Sequence, residues 1–407
     1  MDQEEYKVTV VYVVSNELVK VSSLLPSNKN RSLVVHSLIK QFGLLSPEYC
    51  CETSLRLIPP IPAQYNELTV YHDRDYVDFI LDPRNFSDAS EDPRHAEFGI
   101  EEDCPAFLGM SNYVRMVAGA SLTAARSLVD KTADVAICWD GGRHHTLKAQ
   151  ASGFCYVADC VLAILAMRRS RIIAGDGSIT KPRIMYLDLD LHFSDGVSQA
   201  FFSSASGASS PQVLTLSIHH AAPGFFPASE MASLTDPEGA SFDPFTLSLP
   251  LERGASDTTF HSVWQSVETI KNAFSPDYVV LQCGVDGLAG DPCGIWNWSL
   301  GASDGSLGWC VSRVCREWNC RTLLLGGGGY NSANAARAWA YLTSIALRKP
   351  LPLDADIPDH GAFPMYAPSF TLDVPPGTAQ DQNTQDYLRN VAARFQQIAS
   401  IIKARMT

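Results

Sequence analysis

The stretch Tyr186-Leu187-Asp188-Leu189-Asp190-Leu191-His192 decides how the rest of the chain is read. A strand turns successive side chains to opposite faces. Asp188, Asp190 and His192 can therefore share one side while the leucines enter an apolar interior. Three polar groups on so apolar a strand are costly to bury unless they are paired or hold a metal. Asp and His are zinc or iron ligand types, and Asp286 could supply a third ligand from a neighbouring strand. Two carboxylates and one imidazole leave a position open for water, as in a catalytic rather than a structural zinc site. A buried Asp–His hydrogen-bond cluster, or a magnesium site, is the competing reading of the same spacing.

Outward from this stretch, short β-branched runs alternate with longer helical patterns. The strands expected are Val8–Val14, Val135–Trp139, Ile184–Asp190, Val213–His219, Tyr278–Cys283 and Thr322–Leu325. The helices expected are Ser32–Phe42, Asn112–Val129, Tyr156–Arg169, Thr258–Ala273, Ser306–Trp318, Ala333–Leu347 and Gln385–Arg405. Alternation of this kind, with near-continuous apolar strands, predicts an α/β fold: a single domain whose central parallel sheet is flanked by helices on both faces. Ser170–Pro182 and Ser203–Pro211 read as surface excursions, too short for interdomain linkers. No internal repeat is visible, so residues 1–407 are expected to form one catalytic domain.

Sites in open parallel sheets form at the carboxyl ends of strands. Asp140, the Asp188–His192 run, His219-His220, Asp286 and Gly326–Gly329 with Tyr330 all end or follow a predicted strand. His144-His145 follows another, and a metal-activated water needs a base within hydrogen-bond reach, usually a His. Asp188 and Asp195 are the candidates to orient that base. Without them the pair reads as two solvent-exposed imidazoles. The glycine run suggests a phosphate cradle, but no Lys-Ser/Thr follows it. A tyrosine presented there could hydrogen-bond a developing oxyanion. Phe154, Phe225 and Phe226 sit in glycine-containing loops, where they either pack or line a channel.

The composition excludes several classes. Among 407 residues, 31 Lys+Arg face 44 Asp+Glu, a net charge of -13, which disfavours nucleic-acid phosphates and anionic membranes and suits a basic partner such as a lysine-rich peptide. No apolar run approaches the roughly 20 residues of a membrane span. The acidic start Met1-Asp2-Gln3-Glu4-Glu5 is unlike a signal or transit peptide. Eleven scattered cysteines without a C-x-x-C read as reduced thiols in an intracellular protein.

Together these motifs resemble the class I zinc-dependent histone deacetylase family. The resemblance rests on Cys138-Trp139-Asp140-Gly141-Gly142, His144-His145, Ala151–Tyr156, Asp188–His192, Pro223–Pro227, Gly290-Asp291-Pro292 and Gly326–Asn331, in the family's order. It covers the chain from about Val10 to Asp373, and Pro292 brings it nearest to the subtype 8 branch, which needs no obligate corepressor. It implies an arginase/deacetylase-like fold, with Asp190, His192 and Asp286 as zinc ligands, iron being an alternative metal. It further implies His145 as general base with His144 beside it, Asp188 and Asp195 orienting the pair, and Tyr330 as oxyanion donor. Gly153, Phe154 and Phe226 would line the acyl-lysine tunnel, with Cys293 at its rim, Asp103 holding the substrate backbone and Arg31 in the inner part of the site. A potassium site would use Asp188, Asp190, His192, Ser217 and Ile218. The partner implied is a protein carrying acetylated lysine, histone or otherwise (a cohesin subunit among them), in the nucleus, the cytoplasm or both.

The chain also departs from the family. Phe193-Ser194 replaces His-Gly, Arg143 a tryptophan, Val285 a small residue, Cys293 a larger apolar residue, and Ala228-Ser229 stands where Gly-Thr is usual. Ser194 is expected to be strained if that position requires a glycine backbone. None of these is a ligand position, so activity is expected, with altered pocket shape. A small-molecule amidohydrolase acting on acetylated polyamines and a non-catalytic acetyl-lysine binder are the alternatives, the second disfavoured by retention of His144, His145 and Tyr330.

Overall fold

In the computed structural model, residues 7–86, 92–173, 177–203, 211–301 and 303–406 are described. The acidic start, the middle of Ser170–Pro182 and nearly all of Ser203–Pro211 lie outside them. The strands are β1 (Val8–Val13), β2 (Thr53–Ile58), β3 (Val135–Cys138), β4 (Ile172–Ile173), β5 (Ile179–Thr180), β6 (Ile184–Asp188), β7 (Val213–His220), β8 (Thr246–Leu251), β9 (Tyr278–Gln282) and β10 (Arg321–Leu325). Eight of them form one sheet in the order β2-β1-β3-β10-β9-β6-β7-β8. Every pairing in it is parallel. The short β4 and β5 pair antiparallel as a separate hairpin.

The central strands are apolar on both faces because both are covered. Met185, Leu187, Leu189 and Leu191 enter one core, while Ile184 and Tyr186 enter the other. Val279 and Leu281 of β9 likewise oppose Tyr278 and Val280. Helices 31–41, 257–274, 307–317, 332–346 and 385–406 contribute to the first core, and helices 110–129 and 159–168 to the second. This is the predicted architecture, with differences at element ends and edges.

Three differences have local causes. The predicted strand to Asp190 stops at Asp188, where Asp188 Oδ1 accepts the Asp190 amide at 2.9 Å and Asp190 Oδ1 accepts the His192 amide at 3.1 Å. Short side chains that capture amides two residues on compete with the sheet ladder and curl the chain. The helix expected from Tyr156 begins at Asp159, because Tyr156-Val157-Ala158 carry the chain round to bring the Asp159 carboxylate under the Gly142-Arg143 backbone. The unpredicted β2 is an edge strand with a half-exposed face carrying Arg56, so it lacks the apolar run that marks the central strands.

Candidate active site

The C-terminal ends of β3, β6, β9 and β10 bring His144, His145, Asp188, Asp190, His192, Asp286 and the Gly326–Tyr330 turn to one place. The Gly141–His145 loop is anchored from below. Asp159, fully buried, accepts the Gly142 and Arg143 amides at 2.9 and 2.7 Å. The two histidines then diverge onto separate carboxylates. His144 Nδ1 bonds Asp188 at 2.8 Å, and His145 Nδ1 bonds Asp195 at 2.7 Å. Asp188 also accepts from the Tyr186 hydroxyl. With each Nδ1 engaged, each Nε2 is left for chemistry.

Asp190 and Asp286 converge on a single nitrogen. His192 Nδ1 lies 3.3 Å from Asp190 Oδ1 and 2.8 Å from Asp286 Oδ2. Asp190 Oδ2 accepts from Gln282 Nε2 at 2.9 Å and from the Gly328 amide at 2.7 Å. Asp286 Oδ1 accepts the Leu191 amide at 3.0 Å. Glycines leave room for these carboxylates: a Cβ at Gly284 would stand 2.1 Å from Asp190 Oδ2, and one at Gly328 would stand 2.3 Å from Asp286 Oδ2.

The electrostatics follow from three buried carboxylates, at 188, 190 and 286, in one cluster. Burial works against the charged imidazole of His192, but hydrogen bonds to Asp190 and Asp286 raise its pKa to about 10. Burial likewise opposes the charge on His144, yet Asp188 and Asp190 raise it to about 9. Asp286 is held up by burial and by Asp190, while Asp190 is held down, despite burial, chiefly by His144. His145 moves the other way: burial, then His144, lower its pKa more than Asp195 raises it. The cluster thus gathers protons to offset surplus negative charge, a role that a divalent cation can take over. Two carboxylates within hydrogen-bond reach of one imidazole nitrogen are the donor types that a catalytic zinc takes.

Around this centre the aromatics are ordered. Phe226 packs edge-on to His145, with centroids 4.9 Å apart, and Phe225 stacks on His192 at 5.1 Å. Phe154 meets Tyr330 edge-to-face at 5.7 Å. Gly153, at φ +55, lies against the His145 ring, where its missing Cβ would stand 2.4 Å from Cδ2. The Gly153 amide donates to Asp103 at 2.8 Å. Burial, then Asp286 and Asp190, raises the Tyr330 hydroxyl pKa well above its usual value, so it is a proton donor at neutral pH. Cys293 sits beside the cluster: its sulfur, a His192 nitrogen and an Asp286 oxygen all lie within 4.8 Å of one another.

Other predicted residues are placed elsewhere. Arg31 donates to the Gly329 carbonyl at 2.9 Å from an inner cavity that it lines with His36, Asp140 and Arg143. Asp140 pairs there with His36 Nε2 at 2.9 Å and does not reach the Asp190 cluster. Arg143 is buried, and its Nε has no partner among the described residues. His219 and His220 are structural, because they bond the Ala232 and Leu251 carbonyls at 3.0 and 2.8 Å. Ser217 lies beside Asp188 in the β6–β7 register, with Ile218 next along the strand. The expected strain at Ser194 is absent, since its φ is -77. All eleven cysteines are free.

Sequence reading missed Asp159 and Gln282 as supports of the site. Gln282 carried a usable signal, an amide inside the apolar run Tyr278–Cys283. Asp159 carried none, because it looked like an ordinary residue in a helix.

Comparison with known proteins identifies the family. The histone deacetylase domain matches residues 25–346. The chain is 37% identical over 385 residues to histone deacetylase 8 of Danio rerio, covering 94% of this chain and 93% of that one. It is 34% identical to histone deacetylase 8 of Xenopus tropicalis, over 95% of this chain and 98% of that one. To histone deacetylase 1 of Homo sapiens it is 32% identical, over 91% of this chain and 70% of the other. No helix among the described residues is long and apolar enough to cross a membrane. Matched by that domain over most of its length, and by these relatives over more than nine-tenths of it, the chain belongs to the histone deacetylase family and is a deacetylase, a hydrolase whose family is zinc-dependent.

Proposed function

We propose that this deacetylase hydrolyses the acetyl amide of acetyl-lysine in histone or non-histone proteins, a cohesin subunit among the candidates, with zinc held by Asp190, His192 and Asp286. The observation that carries the reading is the His145–Asp195 pair, 2.7 Å apart, set beside that cluster. A bound zinc supplies a polarised acetyl carbonyl and a water of lowered pKa. His145, neutral because burial depresses its pKa, takes the water proton at Nε2, while Asp195 fixes its tautomer through Nδ1. Tyr330 donates its hydroxyl proton in a hydrogen bond to the developing oxyanion. A protonated imidazole of the 144–145 pair then gives its proton to the departing lysine amine, leaving acetate and free lysine.

Gly153, Phe154 and Phe226 form the walls against which the aliphatic lysine chain lies, and the Asp103 carboxylate holds the Gly153 amide at the rim. The adjacency of Asp188, Ser217 and Ile218 supports a potassium site that also draws on Asp190 and His192. We take residues 1–407 to act as one catalytic domain, without an obligate corepressor, in the nucleus, the cytoplasm or both.

The test is release of free lysine from an acetyl-lysine peptide by purified, zinc-loaded protein, alongside Tyr330→Phe. Turnover that falls about 10²–10³-fold in kcat in the variant is expected. A folded, zinc-loaded wild type that releases no lysine, or a Tyr330→Phe variant with full activity, would overturn the assignment.

A further inference from the structure

We propose that the groove bounded by the 147–150 loop, helix 159–168 and helix 195–201 is a docking site for an acidic, amphipathic segment of a partner protein. Its cavity of about 610 Å³ has an apolar floor of half-buried side chains, Val70, Leu147, Leu165 and Phe201. Clefts that hold a ligand run roughly 300–1,000 Å³ and are mainly apolar with a few polar groups. The charged groups here are Lys148 and Arg168, and no carboxylate among the described residues lines the groove. The proposal is independent of the metal site and goes beyond the deacetylase reaction.

The charge on this stretch runs against that of the chain. Residues 168–183 carry Arg168, Arg169, Arg171, Lys181 and Arg183 against Asp176 alone, a net +4 in a chain of -13. Arg168, Arg169 and Arg171 are exposed and join none of the ion pairs among the described residues. Lys148 does pair, with Asp73 at 2.9 Å, but both side chains are at least half exposed. Such a pair contributes little, so a partner carboxylate can replace it. Ile173 and Ile179, cross-strand partners in the β4–β5 hairpin that follows, are 65% and 67% exposed. Apolar and cationic surface thus recur together.

These features select the occupant. A nucleic acid or an anionic bilayer is an extended polyanion and meets the repulsion of the whole acidic chain. Its phosphates would also leave the apolar floor unmatched. A short acidic segment feels mainly the local cations, because charges more than about 8 Å apart are screened at physiological salt. Apolar side chains one helical turn apart enter such a groove while the carboxylates between them meet Arg168 and Arg169. Two of its walls continue the elements that carry the His145–Asp195 pair: Leu147 lies just past His145, and Asp195 opens helix 195–201. The Val197 amide ties them, donating to the His144 carbonyl at 3.2 Å. A partner seated here bears on both elements at once.

Fluorescence anisotropy on the full chain tests this. The probe is a labelled peptide of about 14 residues with leucines at helical i, i+3, i+4 and i+7 spacing and glutamates elsewhere. Its leucine-to-serine version, a short DNA duplex and phosphatidylserine vesicles are the comparisons. The leucine peptide is expected to bind at least about tenfold more tightly than any of them, and less tightly as salt rises. Arg168→Glu/Arg169→Glu and, on the facing helix, Gln199→Glu are each expected to weaken it about tenfold, with thermal melts like wild type. No binding of the leucine peptide, equal binding of the serine version, or binding unchanged in either variant would overturn the proposal. Tighter binding of DNA or vesicles would overturn it in favour of a polyanion.

Discussion

The Asp291 carboxylate accepts the Tyr330 amide at 2.7 Å, which ties the candidate oxyanion donor to a turn 39 residues earlier in the chain. Asp291 is buried, and its own pKa is raised by that burial, so its hydrogen bonds are its main compensation. Removing it frees three amides at once, those of Cys293, Tyr330 and Asn331.

Asp291→Ala is therefore expected to lower kcat by roughly tenfold to a hundredfold with a smaller change in KM, because misplacing a reacting group by about 1 Å costs on that order. Asp291→Asn keeps one oxygen acceptor and should lose less. Steady-state kinetics on an acetyl-lysine peptide decide it. Equal losses in both variants would show that the charge matters and the hydrogen bonds do not.

Gly153→Ala places a Cβ 2.4 Å from the His145 ring at a backbone φ of +55. A left-handed alanine alone costs roughly 1–2 kcal/mol, and the ring must also move. Activity is expected to fall at least about a hundredfold while the protein stays folded. A thermal melt run beside the assay separates lost geometry from lost fold, and an unchanged kcat/KM would refute the close packing.

The pH profile follows from His145. Burial, then His144, hold its pKa below 6.5, and a divalent cation nearby pushes the same way. Activity should rise with pH through that depressed value and be level above 6.5. In Asp195→Asn the charge that raises the pKa is gone, so the acid limb moves to still lower pH as kcat falls. A limb displaced to higher pH would contradict the assignment of His145 as base.

Away from the site, His72 makes acid stability a second readout. Its Nδ1 donates to the Lys148 carbonyl at 3.0 Å, and its Nε2 accepts the Ala158 amide at 3.1 Å. Both bonds belong to the neutral ring, and burial lowers its pKa to about 4. An unfolded His titrates near 6.5, so the unfolded state takes up the proton first, and stability is lost as pH falls from about 6.5 toward 4. The loss at pH 5 is on the order of 2 kcal/mol. His219, also lowered to about 4 by burial, adds to it. His72→Phe should be less stable at neutral pH yet show a flatter decline. Chemical denaturation at pH 7 and pH 5 checks both, and an unchanged slope would remove His72 from the account.

What the sequence discloses and what it hides divide along physical lines. Central strands are apolar on both faces, so a polar residue inside or just after one stands out, and Asp188, Asp190, His192 and Asp286 were legible for that reason. The orienting pairs His144–Asp188 and His145–Asp195 join residues 44 and 50 positions apart, so they came from the family resemblance and the requirement for an oriented base. His219 and His220 looked equally reactive, and only their carbonyl partners reveal a structural role. Edge strand β2 and the support from Asp159 were hidden because each depends on which neighbour lies alongside, which periodicity does not encode.

The distribution of the cluster over the sheet has one more consequence. Asp188 ends β6, Asp190 follows it two residues on, Gln282 ends β9 and Gly328 follows β10, so the donor set exists only when three adjacent strands are in register. A one-residue slip of β6 would turn leucines toward the site and carboxylates into the core. A divalent ion held there as proposed would therefore bind only a chain whose central strands are aligned, and would favour that register over a slipped one.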